Sequence, residues 1–160
     1  MRRRSFLASG VALAGLGGIA PARADTDAPY VTVERSEAEW RQRLSDREYA
    51  VLREEATEAR YSSALLEEKR PGTYNCKGCG LPLYSSEAKY DSGTGWPSFY
   101  EALPDAVRTK PDPGLFGTRT EVHCRRCGSH LGHVFDDGPP PTGKRHCING
   151  IALTFSPDTA

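Results

Sequence analysis

The chain has 160 residues, 26% of them charged and 38% hydrophobic, which suits one soluble domain with a modest core, or one domain and an appendage. The formal charge is zero, yet Arg2, Arg3, Arg4 and Arg23 fall in the first 24 positions with no acid among them, so the remainder holds 17 basic and 21 acidic residues, a net of −4. An acidic remainder disfavours nucleic acid as a partner, and five cysteines direct attention to metal or thiol chemistry.

Residues 1–24 read as an export signal. Arg2 to Arg4 is a positive start, Phe6 to Ala20 an apolar run rich in Gly and Ala, and Ala22-Arg23-Ala24 a small-x-small cleavage site. The run is too short and too glycine-rich for a comfortable membrane span. Arg3-Arg4-Ser5-Phe6-Leu7 resembles the twin-arginine signal, with Arg2 where Ser or Thr often stands. The resemblance implies bacterial export of an already folded protein to the periplasm, cleavage after Ala24, and no membrane attachment afterwards. Residues 25–160 would then be one mature domain. Met1, the only methionine, would leave with the signal.

Asp25 to Pro29 reads as a flexible lead-in. Ser36-Glu37-Ala38-Glu39 and Ser45-Asp46-Arg47-Glu48 are capping boxes, so two short helices are expected at about 36–44 and 46–58. Trp40 with Leu44, and Tyr49 with Leu52, have the spacing of an apolar face packed on a sheet. Arg70-Pro71-Gly72 is a turn, and Arg60 to Glu68 is ambiguous. Leu81–Ser86 and Lys89–Asp91 read as short strands. Lys110-Pro111-Asp112-Pro113-Gly114 reads as a turn. Thr118–Cys124 alternates as a strand, as do His133–Asp136 more weakly and Ile151–Phe155. Gly138 to Gly143 is a stiff loop leading to a strand around Cys147.

Cys76-Lys77-Gly78-Cys79-Gly80 and Cys124-Arg125-Arg126-Cys127-Gly128 are two C-x-x-C-G knuckles. A tight turn ending in glycine points both thiols to one side. Two knuckles together suit tetrahedral Cys₄ ligation of a structural Zn²⁺, with no open position for catalysis. Disulfides or a redox pair compete with this reading, disulfides because an exported protein meets an oxidising compartment. A redox C-x-x-C belongs at a helix start, whereas the flanking pattern here is strand and turn. Folding before export would let metal load while the thiols are reduced.

Cys147 has no such partner. It lies in Arg145-His146-Cys147-Ile148-Asn149-Gly150, downstream of His130-Leu131-Gly132-His133. Basic and imidazole neighbours are the setting of an activated thiol, against the plainer use of cysteine as a small buried hydrophobe. His130 and His133 could be zinc ligands or core residues, but four cysteines already fill one zinc. In Asp91-Ser92-Gly93-Thr94-Gly95-Trp96-Pro97-Ser98-Phe99, two glycines bracket Thr94 and a tryptophan is held next to proline. Trp96 is either a core aromatic or the wall of a binding pocket.

Taken together, the knuckles, Ser92 to Phe99, Ser129 to Pro139 and Arg145 to Gly150 resemble the B-type methionine-R-sulfoxide reductases, over about residues 36–156. The resemblance implies a mainly β fold of two small antiparallel sheets, short N-terminal helices and a structural Cys₄ zinc of Cys76, Cys79, Cys124 and Cys127. It implies that Cys147 attacks the sulfoxide sulfur as a thiolate, favoured by Arg145 and the imidazoles. His130, His133 and Asn149 would hydrogen-bond or protonate the sulfoxide oxygen, Trp96 would wall the methyl, and Asp137 would orient Arg145. Many members carry a resolving cysteine at the position of Thr94, which implies a one-cysteine cycle here. Oxidised proteins would be the substrates, and an external thiol, thioredoxin-like or small, the reductant, with the protein a monomer. A non-catalytic zinc-ribbon module and a thiol peroxidase are the rival readings.

Overall fold

The computed structural model describes residues 33–114 and 117–159. The expected export signal and lead-in lie outside the described residues.

Helices α1 (Glu37–Arg43) and α2 (Asp46–Glu54) start at both capping boxes. Ser36 N–H donates to Glu39 Oε2 at 2.8 Å and Ser45 N–H to Glu48 Oε2 at 2.8 Å, while each serine hydroxyl accepts from the third helical amide. Trp40, Leu44, Tyr49 and Leu52 are all buried. α2 stops four residues earlier than expected. Glu55 turns left-handed, with φ 58, and Ala56 N–H donates back to Ala50 O at 3.0 Å, so the last helical carbonyls are satisfied by a turn that ends the helix. Residues 55–63 are thereby released as an extended strap, ending in a 3₁₀ turn at Ala64–Leu66.

Nine strands form two antiparallel sheets among the described residues. β1 (Gly72–Cys76), β2 (Pro82–Ser85) and β9 (Leu153–Pro157) make a three-stranded sheet in the order β2-β1-β9. The other six are β3 (Lys89–Tyr90), β4 (Ser98–Phe99), β5 (Val107–Gly114), β6 (Gly117–Cys124), β7 (His130–Phe135) and β8 (Arg145–Ile148), in the order β3-β4-β8-β7-β6-β5. The core lies between the sheets and under the helices. Tyr84 stacks on Phe99 at 4.4 Å between ring centroids, and Tyr74 meets the same ring edge-on at 5.0 Å.

Two sequence expectations are corrected. Lys110–Gly114, read as a turn, is the outer half of β5. β5 is the edge strand, and Pro111 and Pro113, two apart, both turn their missing N–H to the same side, which an edge strand can leave unpaired. The strand expected at Ile151–Phe155 begins only at Leu153, because Gly150–Ala152 closes as a 3₁₀ turn with Ala152 N–H donating to Asn149 O.

Candidate active site

Strand register places the chemistry in one row across the larger sheet. Tyr90 is opposite Ser98, Ser98 opposite Cys147, Cys147 opposite His133, His133 opposite Glu121, and Glu121 opposite Lys110. Residues directly opposite share a face, so these six side chains stand side by side. In a regular strand His130 and His133, three apart, would face opposite sides. An irregularity between Val122 and His123 shifts the β6–β7 register there, and the bulge lets both imidazoles stand on the same face, 5.5 Å apart. Gly132 lies between them because β8 passes too close for a side chain: a Cβ there would sit 2.0 Å from Cys147 O.

A cleft of about 120 Å³ opens over this row, lined by Cys147, His133, Asn149, Trp96, Phe135, Thr57, Arg119 and Gly132. Cys147 is half-buried. Burial pushes its thiol above its ordinary range, and the Thr94 hydroxyl, 3.9 Å from Sγ, and the Arg145 charge pull it back only in part. Arg145 thus favours the thiolate as expected, but burial outweighs it and the resting thiol keeps its proton. Arg145 is held beside Cys147 by Asp137, donating from Nε and Nη2 to its two oxygens at 2.8 Å each, with its guanidinium 4.4 Å over the Phe135 ring. His146 takes no part on this face. It meets the Tyr84 hydroxyl at 3.2 Å, and burial lowers it to about 4.

His133 lies 2.7 Å from Asp112 through Nε2. That contact, then Arg119, lowers Asp112, so it is an ionised acceptor. Burial lowers His133 despite Asp112, so the ring rests neutral, with its proton on Nε2 toward the carboxylate. Nδ1 is left as the nitrogen that can take or give a proton. His130 is buried behind the cleft rather than lining it, with Nδ1 2.8 Å from Glu121 Oε1. Lys110 Nζ holds the other Glu121 oxygen at 2.8 Å.

Asn149 is braced on three sides. Its Nδ2 donates to Leu131 O at 3.0 Å, its N–H to the same carbonyl at 2.8 Å, and its Oδ1 accepts from Glu58 N–H at 3.0 Å. One Nδ2 hydrogen remains for a ligand. Trp96 donates from Nε1 to Glu58 O at 3.1 Å, and Arg60 sits 5.0 Å over its ring. The indole wall is thus fixed by the strap. Sequence reasoning missed Thr57, Asp112, Arg119, Glu121 and Phe135. Asp112 was hidden in a presumed turn and Thr57 in a presumed helix; the alternation of Thr118–Cys124 already put Arg119 and Glu121 on one face of a strand.

The four remaining cysteines converge. Sγ of Cys76 is 3.6 Å from that of Cys127, and Sγ of Cys79 is 3.6 Å from that of Cys124; all four lie within 4.8 Å of one another. No disulfide joins these cysteines, since a bonded pair sits at about 2.0 Å. Sulfurs at about 2.3 Å around a tetrahedral ion stand about 3.8 Å apart, so the cluster fits a structural metal. Gly80 and Gly128, with φ 72 and 65, close the two knuckles.

A SelR domain model matches residues 44–157. The chain is 54% identical over 124 residues to a peptide methionine sulfoxide reductase MsrB of Methanosarcina barkeri, covering 77% of this chain and 87% of that protein. It is 53% identical over 124 residues to the MsrB of Thiobacillus denitrificans, covering 77% and 94%. Among solved structures, the Mis18 'Yippee-like' domain aligns over 57% of this chain and all of that one, at 19% identity and a TM-score of 0.47. A match over most of the chain, carrying both knuckles and the Cys147 strand, makes the conclusion plain: the chain belongs to the SelR-domain family of MsrB-type methionine sulfoxide reductases.

Proposed function

We propose that the protein reduces the R-sulfoxide of methionine in oxidised proteins by a one-cysteine cycle at Cys147. The observation that carries this reading is the cross-strand pairing of Cys147 with His133 in a cleft walled by Trp96 and Phe135. A thioether methyl fits the aromatic walls, and the two polar neighbours face the reacting sulfur and oxygen.

The resting thiol passes its proton to His133 Nδ1, whose imidazolium is stabilised by Asp112. The thiolate attacks the sulfoxide sulfur while the imidazolium returns the proton to the sulfoxide oxygen, steadied by Asn149 Nδ2. Oxygen moves to sulfur: methionine leaves and Cys147 becomes a sulfenic acid. The position between Gly93 and Gly95 holds Thr94 in place of a resolving thiol, so an external thiol condenses with the sulfenic acid, releasing water. A second thiol reduces the mixed disulfide and restores Cys147. The hydrogen-bonded Glu121 places His130 in support of His133 rather than on the substrate.

The four-cysteine cluster fits zinc in a structural role, and none of its sulfurs lines the cleft. Export by the twin-arginine route to the periplasm completes the reading, supported by residues 1–24. The deciding experiment is turnover of R and S sulfoxide peptides with monothiol and dithiol reductants. Cys147→Ser should abolish R-sulfoxide reduction with fold and metal retained; substantial turnover by that variant refutes the assignment. Hydroperoxide consumption faster than sulfoxide reduction would favour a thiol peroxidase.

A further inference from the structure

Tyr61 is 70% exposed, alone in this among the large hydrophobic residues described. The exposure is held in place. Its φ of 60 lies in the left-handed region, which disfavours any side chain. Its N–H donates to Gly95 O at 2.8 Å, and its phenol donates to Gly93 O at 3.0 Å. The ring lies against Gly95, where a Cβ would come within 3.0 Å of two ring carbons. An aromatic ring is thus fastened, mostly exposed, across the loop that carries Thr94.

A groove of about 410 Å³ runs from Tyr61 to Trp96. Trp96 also lines the Cys147 cleft, so one indole separates and joins the two spaces. The cleft, at about 120 Å³, has room for a methionine side chain and little more. The substrate's backbone must leave at the rim, and the groove borders that rim at Trp96, the residue the two linings share. The groove's charges nearly balance: Glu67, Glu68 and Asp91 stand against Lys69 and Lys89, and Glu68 is paired with Arg70 at 2.6 Å. Lys89 is held in place by donating to Leu66 O at 2.8 Å and Glu68 O at 3.1 Å.

We infer that this groove holds the polypeptide beside the oxidised methionine, and that Tyr61 is the platform on which a flat neighbouring side chain, aromatic or arginine, stacks. The inference rests on the sulfoxide-reductase reading above. A fixed ring loses little entropy when a partner covers it, and a second aromatic ring or a guanidinium gains by stacking on its face.

The test compares wild type, Tyr61→Ala and Tyr61→Phe on two kinds of substrate. One is N-acetyl-methionine-R-sulfoxide amide, which ends at the rim. The other is a set of five-residue peptides with a central methionine-R-sulfoxide flanked by Tyr, Arg or Ser. In wild type, kcat/KM for the Tyr and Arg peptides should exceed that for the Ser peptide by roughly three- to tenfold, carried by KM. Tyr61→Ala should collapse that ratio, and Tyr61→Phe, which keeps the ring, should retain it. A ratio that survives in Tyr61→Ala, or is missing in wild type, overturns the inference. So does Tyr61→Phe behaving like Tyr61→Ala, which would make the hydroxyl a support for the Gly93 loop. A wild type that reduces no sulfoxide, the acetylated amide included, refutes the underlying reaction and the inference with it.

Discussion

Cys147 rests as a thiol because burial outweighs the groups that would ionise it. Thr94 is one of those groups, and it ends a chain of hydroxyls: Ser98 Oγ lies 2.7 Å from Ser92 Oγ, which lies 2.8 Å from Thr94 Oγ1. Each hydroxyl can reverse its sense, so the chain can accept from the thiol and donate to the thiolate. Thr94→Val removes the terminal donor, and the midpoint pH of Cys147 alkylation by iodoacetamide should move up; Thr94→Ser should restore it. An unmoved midpoint in the valine variant would show that the hydroxyl contributes nothing to acidity. His146 gives a different pH signature. Its unfolded value is near 6.5 and its folded value about 4, lowered chiefly by burial and then by Lys144. Between those values the unfolded chain binds a proton that the folded one refuses. The folded state is therefore undiminished by His146 above pH 6.5 and loses about 3 kcal/mol as pH falls toward 4. Urea unfolding at pH 7 and pH 4.5 should show a smaller acid loss for His146→Gln than for wild type.

At the scale of elements, the strap after α2 does what its sequence did not announce. Glu58 accepts from Gly150 N–H and, at 3.0 Å, from Ile151 N–H, while its own N–H and carbonyl hold Asn149 and Trp96. One residue thus ties the 3₁₀ turn after Cys147 to the aromatic wall. Glu58→Ala leaves two inward backbone amides without that acceptor and should cost about 2 kcal/mol in denaturant unfolding. It should also raise the KM for sulfoxide peptides, because the strap whose backbone holds Trp96 loses its side-chain tie to Gly150 and Ile151. Wild-type stability and KM together would refute the strap's role. The capping boxes that start α1 and α2 were legible because they are local: four residues determine them. The end of α2 was not, because no Gly or Pro marks it and a glutamate takes the left-handed position. β5 was misread for a related reason. Pro111 and Pro113 carry the composition of a turn, and only the strand's place at the sheet edge makes them harmless. With β5 lost to a turn, Asp112 was lost as the partner of His133. The residues found early, Cys147, His133, Trp96 and the four metal-cluster cysteines, sit in motifs short enough to read without the fold.

At the scale of the molecule, the four-cysteine cluster joins what the chain leaves separate. Cys76 and Cys79 turn the chain from β1 to β2 in the small sheet, and Cys124 and Cys127 turn it from β6 to β7 in the large one. Among the described residues, Arg126 Nη1 reaches from one knuckle to Cys79 O of the other at 3.4 Å, and further links tie each knuckle to its surroundings: Arg53 Nη1 to Cys127 O at 3.1 Å, Val33 N–H to Arg126 O at 2.8 Å, Lys77 N–H to Ala152 O at 2.9 Å and Lys77 Nζ to Glu48 Oε1 at 3.0 Å. A tetrahedral ion at the four sulfurs would clamp the two sheets at the point where the knuckles meet. Its binding free energy would then count as folding free energy. Metal analysis should return one equivalent of zinc per chain, in Cys147→Ser as in wild type. Cys79→Ser should lose the metal and lower the thermal midpoint by on the order of 10 °C or more, because several kcal/mol of clamp disappear at once. Cys147 and His133 stand on β8 and β7, whose register is set within the large sheet, so loss of activity should follow the loss of folding rather than precede it. A metal-free Cys79→Ser protein that melts with wild type would show that packing alone holds the sheets together.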